Sequence, residues 1–324
     1  MKAVSELARS FNNYLTDYTF KLKPKSLNEP VEYIMGLGGK RIRPALVLAG
    51  YQLFKSDFEY ANEAAMAVEV FHNFSLVHDD IMDEARLRRN EPTTHIHFNT
   101  NAAILSGDAM LILSYQLLEK YQNTNPELFH LFSKTAMEVC EGQAMDMDFE
   151  RAKDVSIDEY VTMIGLKTSV LIACGMSMGA AIAGADKPLV DHLYAFGKNM
   201  GIAFQIQDDI LDTFGKEAQV GKRIGGDILQ KKKTYLYLKS LELLSEEQSA
   251  RLRSLFNDFH EISEDDLINE VKSLYETAHV RIHAQELKLV YQQLALSHLD
   301  AVRQSGIDTS ILKSFAEKLL DRDA

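Results

Sequence analysis

The segment "LVHDDIMDEARLRRNEPTTH" (76–95) gathers Asp79, Asp80 and Asp83 and follows them with Arg86, Arg88 and Arg89. On a helix, positions 79 and 83 stand one turn apart and share a face. Two carboxylates there repel unless a cation lies between them, and the arginines suit a partner that is itself strongly anionic. A divalent metal carrying a phosphorylated ligand meets both demands. The same spacing returns in "FQIQDDILDTFGK" (204–216), with Asp208, Asp209 and Asp212. A solvated acidic face would be polar around its acids. Here Phe74, Leu76 and Val77 precede the first triad, and Phe204, Ile206, Ile210 and Leu211 surround acids of the second. Two such helices facing each other across a cavity would hold Mg²⁺ through a diphosphate, since Mg²⁺ takes octahedral oxygen ligands, usually one or two carboxylates plus substrate phosphates. Zinc does not fit, because His72 and His78 lack a matching His or Cys set. A DxDxDG calcium loop is absent from the sequence.

Basic residues complete the pattern. "GGKRIRP" (38–44) puts Lys40 and Arg43 on a glycine turn entering a helix, where backbone N–H groups and cationic side chains can hold an anion. "GKRIGGDILQKKKT" (221–234) does the same with Lys222 and Lys232. "GLKTSVL" (165–171) interrupts an apolar helix with Lys167 and Thr168, and a buried lysine needs a counter-charge, so it reads as a ligand contact.

The elements that must position these residues are helical. The six prolines all sit in or beside turn-like stretches, and between them apolar residues return every three or four positions. Phe11, Tyr14, Leu15, Tyr18 is one such stripe and Leu111, Tyr115, Leu118 another; Leu241, Leu244, Leu252, Leu255 is a third, with Gln248 a polar gap. Strand-like alternation is hard to find. The pattern predicts an all-α protein of roughly ten or more helices. Apolar periodicity resumes at once on both sides of every break, so the chain is expected to be one domain over residues 1–324. The uncharged stretch 170–185, "VLIACGMSMGAAIAGA", is too short to span a bilayer comfortably and reads as a buried helix.

Composition narrows the function. A net charge of −12 argues against nucleic-acid binding, since no basic excess exists to replace phosphate counterions. Two cysteines are too few for a disulfide framework, and the N-terminal segment lacks the apolar block of a signal peptide, which points to a reducing cytoplasm.

The ordered motifs "GGKRIRP", "LVHDDIMD…LRRNEPT", "LSGDAML", "EGQAMD", "LKTS", "FQIQDDILD" and "GKRIGGDI…KKT" resemble the trans-isoprenyl diphosphate synthases over nearly the whole chain. The resemblance implies an isoprenoid synthase fold, a single-domain bundle of mostly antiparallel helices around a central active-site cavity, and a homodimer. It implies head-to-tail condensation of isopentenyl diphosphate with an allylic diphosphate (dimethylallyl, geranyl or farnesyl). Three Mg²⁺ would hold the allylic diphosphate and the released pyrophosphate would take the proton. Carried over position by position, Asp79, Asp83 and Asp208 match the principal metal ligands, supported by Asp80, Asp146, Asp209 and Asp212. Arg88, Lys167, Lys222 and Lys232 match contacts to the allylic diphosphate. Lys40, Arg43, His72 and Arg89 match the isopentenyl diphosphate site, and Thr168 and Gln205 match polar groups at the reaction centre. Asn90 departs from the usual Gly, but Asn tolerates left-handed backbone angles, so the turn is expected to survive.

Product length has a physical form. Phe74 lies five residues before Asp79, about 7 Å down the helix axis. Phe71 lies one turn deeper, and Ser75 is small. An aromatic at Phe74 with no insertion in DDIMD resembles twenty-carbon producers, so geranylgeranyl diphosphate is the expected product and farnesyl diphosphate the next. The alternatives are a longer-chain synthase for quinone side chains, a class I terpene cyclase, and a non-catalytic partner subunit. Phe71 and Phe74 would obstruct the first; the second "DD" motif and "GGKRIRP" count against the second; two intact triads count against the third.

Overall fold

A computed structural model describes residues 3–215, 224–257 and 262–320. Its regular structure is almost entirely helical, as the apolar periodicity predicts. The chain divides into two compact units. The first comprises Met1–Lys134, Leu171–Tyr194 and Val302–Leu312; the second comprises Thr135–Val170, Ala195–Ala301 and Lys313–Ala324.

In the first unit, α1 (Val4–Asp17), α2 (Lys25–Gly36), α3 (Ile42–Gln52), α4 (Asn62–Met82), α5 (Thr94–His97) and α6 (Thr100–Leu118) precede the start of α7 (Glu127–Arg151). Helix α4 is apolar on nearly every side over Ala64, Ala65, Met66, Ala67, Val68 and Val70, and all six are buried. A helix apolar all round belongs in the core, and α4 packs against α3 and α6. The one charge within this apolar stretch, Glu69, is buried with Arg41, which also donates to the Met35 carbonyl at 2.6 Å.

Helix α9 (Val170–Ile182) meets α3 backbone to backbone within this unit. A Cβ at Gly179 would overlap the Val47 carbonyl oxygen, and one at Gly50 would overlap the Met176 carbonyl oxygen. These glycines are required by the closeness of the crossing. Sequence length alone placed 170–185 in the core, and that reason does not hold. The helical run extends from Ile157 to Ile182, 26 residues of mean hydropathy 1.5, enough by length and composition to cross a membrane. What argues for the core is that 72% of its most apolar window is buried inside the protein.

Short strands are the second departure. Leu87–Arg88 (β1) and Glu91–Pro92 (β2) pair antiparallel, with Arg89 and Asn90 between them at φ 55° and 66°. Positive φ at both central residues is what a type I′ hairpin turn demands, so Asn90 occupies a left-handed position, as its type allows. Tyr33 ties this hairpin to α2 by donating to the Pro92 carbonyl at 2.6 Å.

In the second unit, α8 (Ile157–Ile164), α10 (Lys187–Phe214), α11 (Gly226–Leu229), α12 (Tyr235–Leu243), α13 (Glu246–Asn257), α14 (Glu264–Thr277) and α15 (Val280–Gln304) contribute to one apolar cluster that includes Tyr160, Ile206, Ile210, Leu236, Tyr237, Leu252 and Tyr275. Helix α16 (Ser310–Leu320) ends the described chain. The stripe Leu241–Leu255 is not one helix. The chain turns extended at Leu244, and Ser245 starts α13 with Gln248. The Gln248 backbone N–H donates to Ser245 Oγ at 3.3 Å while Gln248 Oε1 accepts from the Ser245 backbone N–H at 3.3 Å. This is a capping box, and the polar gap in the stripe is its third helical residue.

Candidate active site

Within the first unit, the aspartates close the C-terminal end of α4. Asp79 is half-buried and Asp83, the capping residue, is exposed. Asp80 is buried, and Arg88 from β1 grips it side-on, with Nε 2.8 and 3.0 Å from the two carboxylate oxygens and Nη2 2.7 Å from Oδ1. The three acids are thus not equivalent: Asp80 points to an arginine, and the pair one turn apart is Asp79 and Asp83.

Beside them lies a cationic cradle. Gly38 and Gly39 have φ of 79° and 130°, backbone that favours glycine, and a Cβ at Gly39 would come within 3.0 Å of the Arg89 guanidinium. Arg89 donates to the Gly38 carbonyl from the hairpin turn. Lys40 follows, exposed, and Arg43 sits in the first turn of α3 with Nη1 3.2 Å from His72 Nε2. Burial, reinforced by Arg43, Arg89, Arg88 and Arg41, holds His72 well below the ordinary histidine range. A neutral His72 accepts from Arg43 and adds no charge of its own. Burial and neighbouring Arg41 likewise lower Arg89. This concentration of cationic side chains favours an anionic guest.

The aromatic residues on α4 continue into a column. Phe74 and Phe71 stand 5.3 Å apart between ring centroids, Phe71 and Phe132 5.4 Å, and Phe132 and Tyr115 5.0 Å. Ser75, half-buried, donates to the His72 carbonyl at 2.9 Å. His78 packs edge-on against Phe74 at 5.0 Å and fills the place a side chain at Gly107 would need, which explains the glycine in "LSGDAML".

In the second unit, Lys167 and Thr168 lie in a π-helical turn, Gly165–Ser169, between α8 and α9. Such turns hold one more residue than an α-turn and occur often at functional sites. A Cβ at Gly142 on α7 would overlap the Lys167 backbone, and one at Gly201 on α10 would come within 2.7 Å of Ser169. The two glycines let the neighbouring helices close on the turn. One turn beyond Gly142, Asp146 accepts from Lys167 Nζ at 2.5 Å, the counter-charge a shielded lysine needs.

The second triad also divides. Asp209 is buried, accepting from the Tyr160 phenol and, at 3.0 Å, from Gln205 Nε2; Gln205 Oε1 in turn accepts from Thr168 at 3.3 Å. Burial, then the charge of Asp227, pushes Asp209 well above the usual carboxylate range. Asp208 and Asp212 are half-buried. Asp212 accepts the Asp227 N–H at 2.9 Å, and its carbonyl accepts the Gly225 N–H at 2.7 Å, which fixes the start of α11. Lys232 is half-buried after α11; Lys222 lies outside the described residues.

Sequence reasoning missed Tyr160, Phe132 and Lys233. Lys233, buried, donates to the carbonyls of Phe149 and Ala152 at 2.6 and 2.7 Å and caps the end of α7. Nothing in "KKK" separates this structural lysine from Lys232. Among the described residues, no group of three or more His, Cys, Asp or Glu is gathered so as to hold a metal ion. Taken separately, Asp79 and Asp83 in the first unit and Asp208 in the second offer oxygen atoms only, a chemistry compatible with Mg²⁺, which is usually held by few carboxylates plus substrate phosphates.

Residues 24–276 match the family model described as Polyprenyl synthetase. The chain is 37% identical over 312 residues to the geranylgeranyl diphosphate synthase of Saccharolobus solfataricus, covering 93% of each. It is 33% identical to the geranylgeranyl pyrophosphate synthase of Geoglobus acetivorans, covering 99% of this chain and 98% of that one. A solved geranylgeranyl pyrophosphate synthase superimposes with a TM-score of 0.93 at 41% identity over the whole of both chains. The chain belongs to the polyprenyl synthetase family. It is a prenyltransferase.

Proposed function

We propose that this enzyme condenses isopentenyl diphosphate head-to-tail with an allylic diphosphate. The product would be a short-chain all-trans prenyl diphosphate, geranylgeranyl diphosphate first and farnesyl diphosphate second, with release of pyrophosphate. The observation that carries this reading is helix α4 itself. Its C-terminal end bears Asp79 and Asp83 beside the Lys40, Arg43, His72 and Arg89 cradle, and its interior turns bear Phe74 and Phe71, the start of an aromatic column that continues through Phe132 on α7 and Tyr115 on α6. A diphosphate head and a hydrocarbon tail need those two surfaces on one element. The relatives named for geranylgeranyl diphosphate support the chain length.

Asp79, Asp83 and Asp208 are the principal ligands for three Mg²⁺ in this reading, with Asp80, Asp146, Asp209 and Asp212 in support. When bound, Mg²⁺ supplies Lewis-acid neutralisation of the diphosphate oxygens. Lys167, Lys222, Lys232 and Arg88 bind the allylic diphosphate and stabilise the charge that gathers on it as its C–O bond breaks. Lys40, Arg43, His72 and Arg89 orient isopentenyl diphosphate so that its double bond meets the allylic carbon. Thr168 and Gln205 line the reaction centre. No side chain in this set is an obvious general base, and the resemblance to the family implies that the departing pyrophosphate takes the proton. The enzyme works as one catalytic domain, in a homodimer, as a soluble cytoplasmic protein; a family match running through residues of both compact units supports the first of these.

The test is product sizing by mass after incubation with Mg²⁺, isopentenyl diphosphate and each allylic starter separately. A ladder ending at twenty carbons supports the proposal. Products well beyond twenty carbons favour the longer-chain alternative, and no product from any starter defeats both.

A further inference from the structure

We infer that Tyr160 is a positioning residue for prenyl transfer: through Asp209 it fixes the Gln205 amide, and through that amide it fixes the direction in which the Thr168 hydroxyl donates. The inference rests on the function proposed above. None of the motifs that mark the chain as a prenyl synthase contains Tyr160, which lies on α8, seven residues before Lys167.

The chain of bonds has one sense. Tyr160, 1% exposed, gives its phenolic proton to Asp209 Oδ2. That leaves Oδ1 for the Gln205 amide nitrogen at 3.0 Å. An amide whose nitrogen is committed to Oδ1 turns its carbonyl the other way, where it meets Thr168 Oγ1 at 3.3 Å. A carbonyl oxygen only accepts, so the hydroxyl must donate, and a hydroxyl has a single proton. With that proton directed at Gln205, Thr168 presents only lone pairs to whatever lies beside it.

This matters because positive charge develops on the allylic carbon as the C–O bond breaks. Oxygen lone pairs aimed at such a centre stabilise it, whereas an outward hydroxyl proton opposes it. Without the Tyr160 hydroxyl, Asp209 keeps only the Gln205 donor among these side chains. The carboxylate and amide are then free to turn over, and Thr168 can accept from the amide and swing its proton outward. Tyr160 is buried in the apolar cluster of its unit, where a bare phenylalanine would pack equally well; the position carries an oxygen because Asp209 uses it.

The experiment is a double-mutant cycle in the full-length enzyme, combining Tyr160→Phe with Thr168→Val and measuring kcat and KM for both substrates. Tyr160→Phe is expected to lower kcat about tenfold with KM for isopentenyl diphosphate unchanged. In the Thr168→Val background, the same change is expected to cost less than about twofold, because no hydroxyl remains to misdirect. Tyr275→Phe, at another fully buried tyrosine of the cluster, is expected to leave kcat as it is. Equal losses from Tyr160→Phe in both backgrounds, or no loss in either, overturn the inference while leaving prenyl transfer intact. A wild-type enzyme that forms no prenyl product overturns the functional reading, and this inference with it. Should Tyr160→Phe fail to fold, Asp209→Asn enters the same cycle under the same two readings.

Discussion

Arg88 clasps Asp80 with two of its nitrogens, all three contacts between 2.7 and 3.0 Å, and buries the carboxylate almost completely. The middle acid of the first triad therefore acts on an arginine of the β-hairpin, while its neighbours Asp79 and Asp83 remain at the end of the helix. Asp80→Ala is expected to reduce stability by about 3 kcal/mol, the cost of removing one partner of a shielded pair. Asp83→Asn, at an exposed cap, is expected to change the unfolding free energy by no more than about 0.5 kcal/mol yet raise the Mg²⁺ concentration needed for half-maximal activity at least tenfold. Urea titration and Mg²⁺ activation curves on the two variants check this. Equal stability losses would show that the two acids do the same job.

Chain length should respond to the aromatic column. Phe74→Ala or Phe71→Ala is expected to shift product toward longer chains, and Phe132→Ala, behind Phe71, to extend it again when combined with either. Mass analysis of products reads the outcome directly. An unchanged distribution in all of these variants would place the floor elsewhere.

His72 should leave a mark on acid stability. It is kept neutral in the fold, with its folded value held below that of the unfolded chain. As pH falls through about 6.5, the unfolded histidine takes a proton that the folded one refuses. The unfolded state then binds more protons, so stability falls with falling pH until the folded value is passed. Replacing His72 by Gln is expected to flatten the urea midpoint between about pH 7 and pH 5. A slope identical to wild type would mean that His72 takes its proton as readily in the fold as in the unfolded chain.

The crossing of α3 and α9 leaves no room for a methyl group at Gly179, where Cβ would overlap the Val47 carbonyl oxygen. Gly179→Ala is expected to cost about 1–3 kcal/mol or more, since backbone cannot give way as a side chain can. Gly36→Ala meets nothing within 4 Å and is expected to be neutral or to stabilise by up to about 1 kcal/mol. Thermal unfolding of the two alanine variants separates a packing effect from a general intolerance of glycine replacement.

Helix content, the basic loops and the two aspartate triads could all be read from the sequence, because each depends on local period or spacing. Apolar residues every three or four positions mark a helix whatever packs on it. What could not be read depends on distant partners. Adjacent aspartates look alike in "DDIMD" and "DDILD", and only the position of Arg88 or Tyr160 in space decides which one turns inward. Lys233 resembles Lys232 until the end of α7 comes to meet it. The break before α13 was legible, since "SEEQ" at 245–248 has the form of a capping box, but the leucine stripe on either side masked it.

The π-turn at Gly165–Ser169 acts as a phase shift in the helix that contains it. One extra residue in a turn advances every side chain beyond it by about 100° around the axis relative to an unbroken α-helix. A long apolar run can therefore keep its buried residues buried before and after the turn while handing Lys167 and Thr168 a direction of their own. Deleting one residue there would leave a continuous and more regular α-helix, and would send both side chains round to a different face.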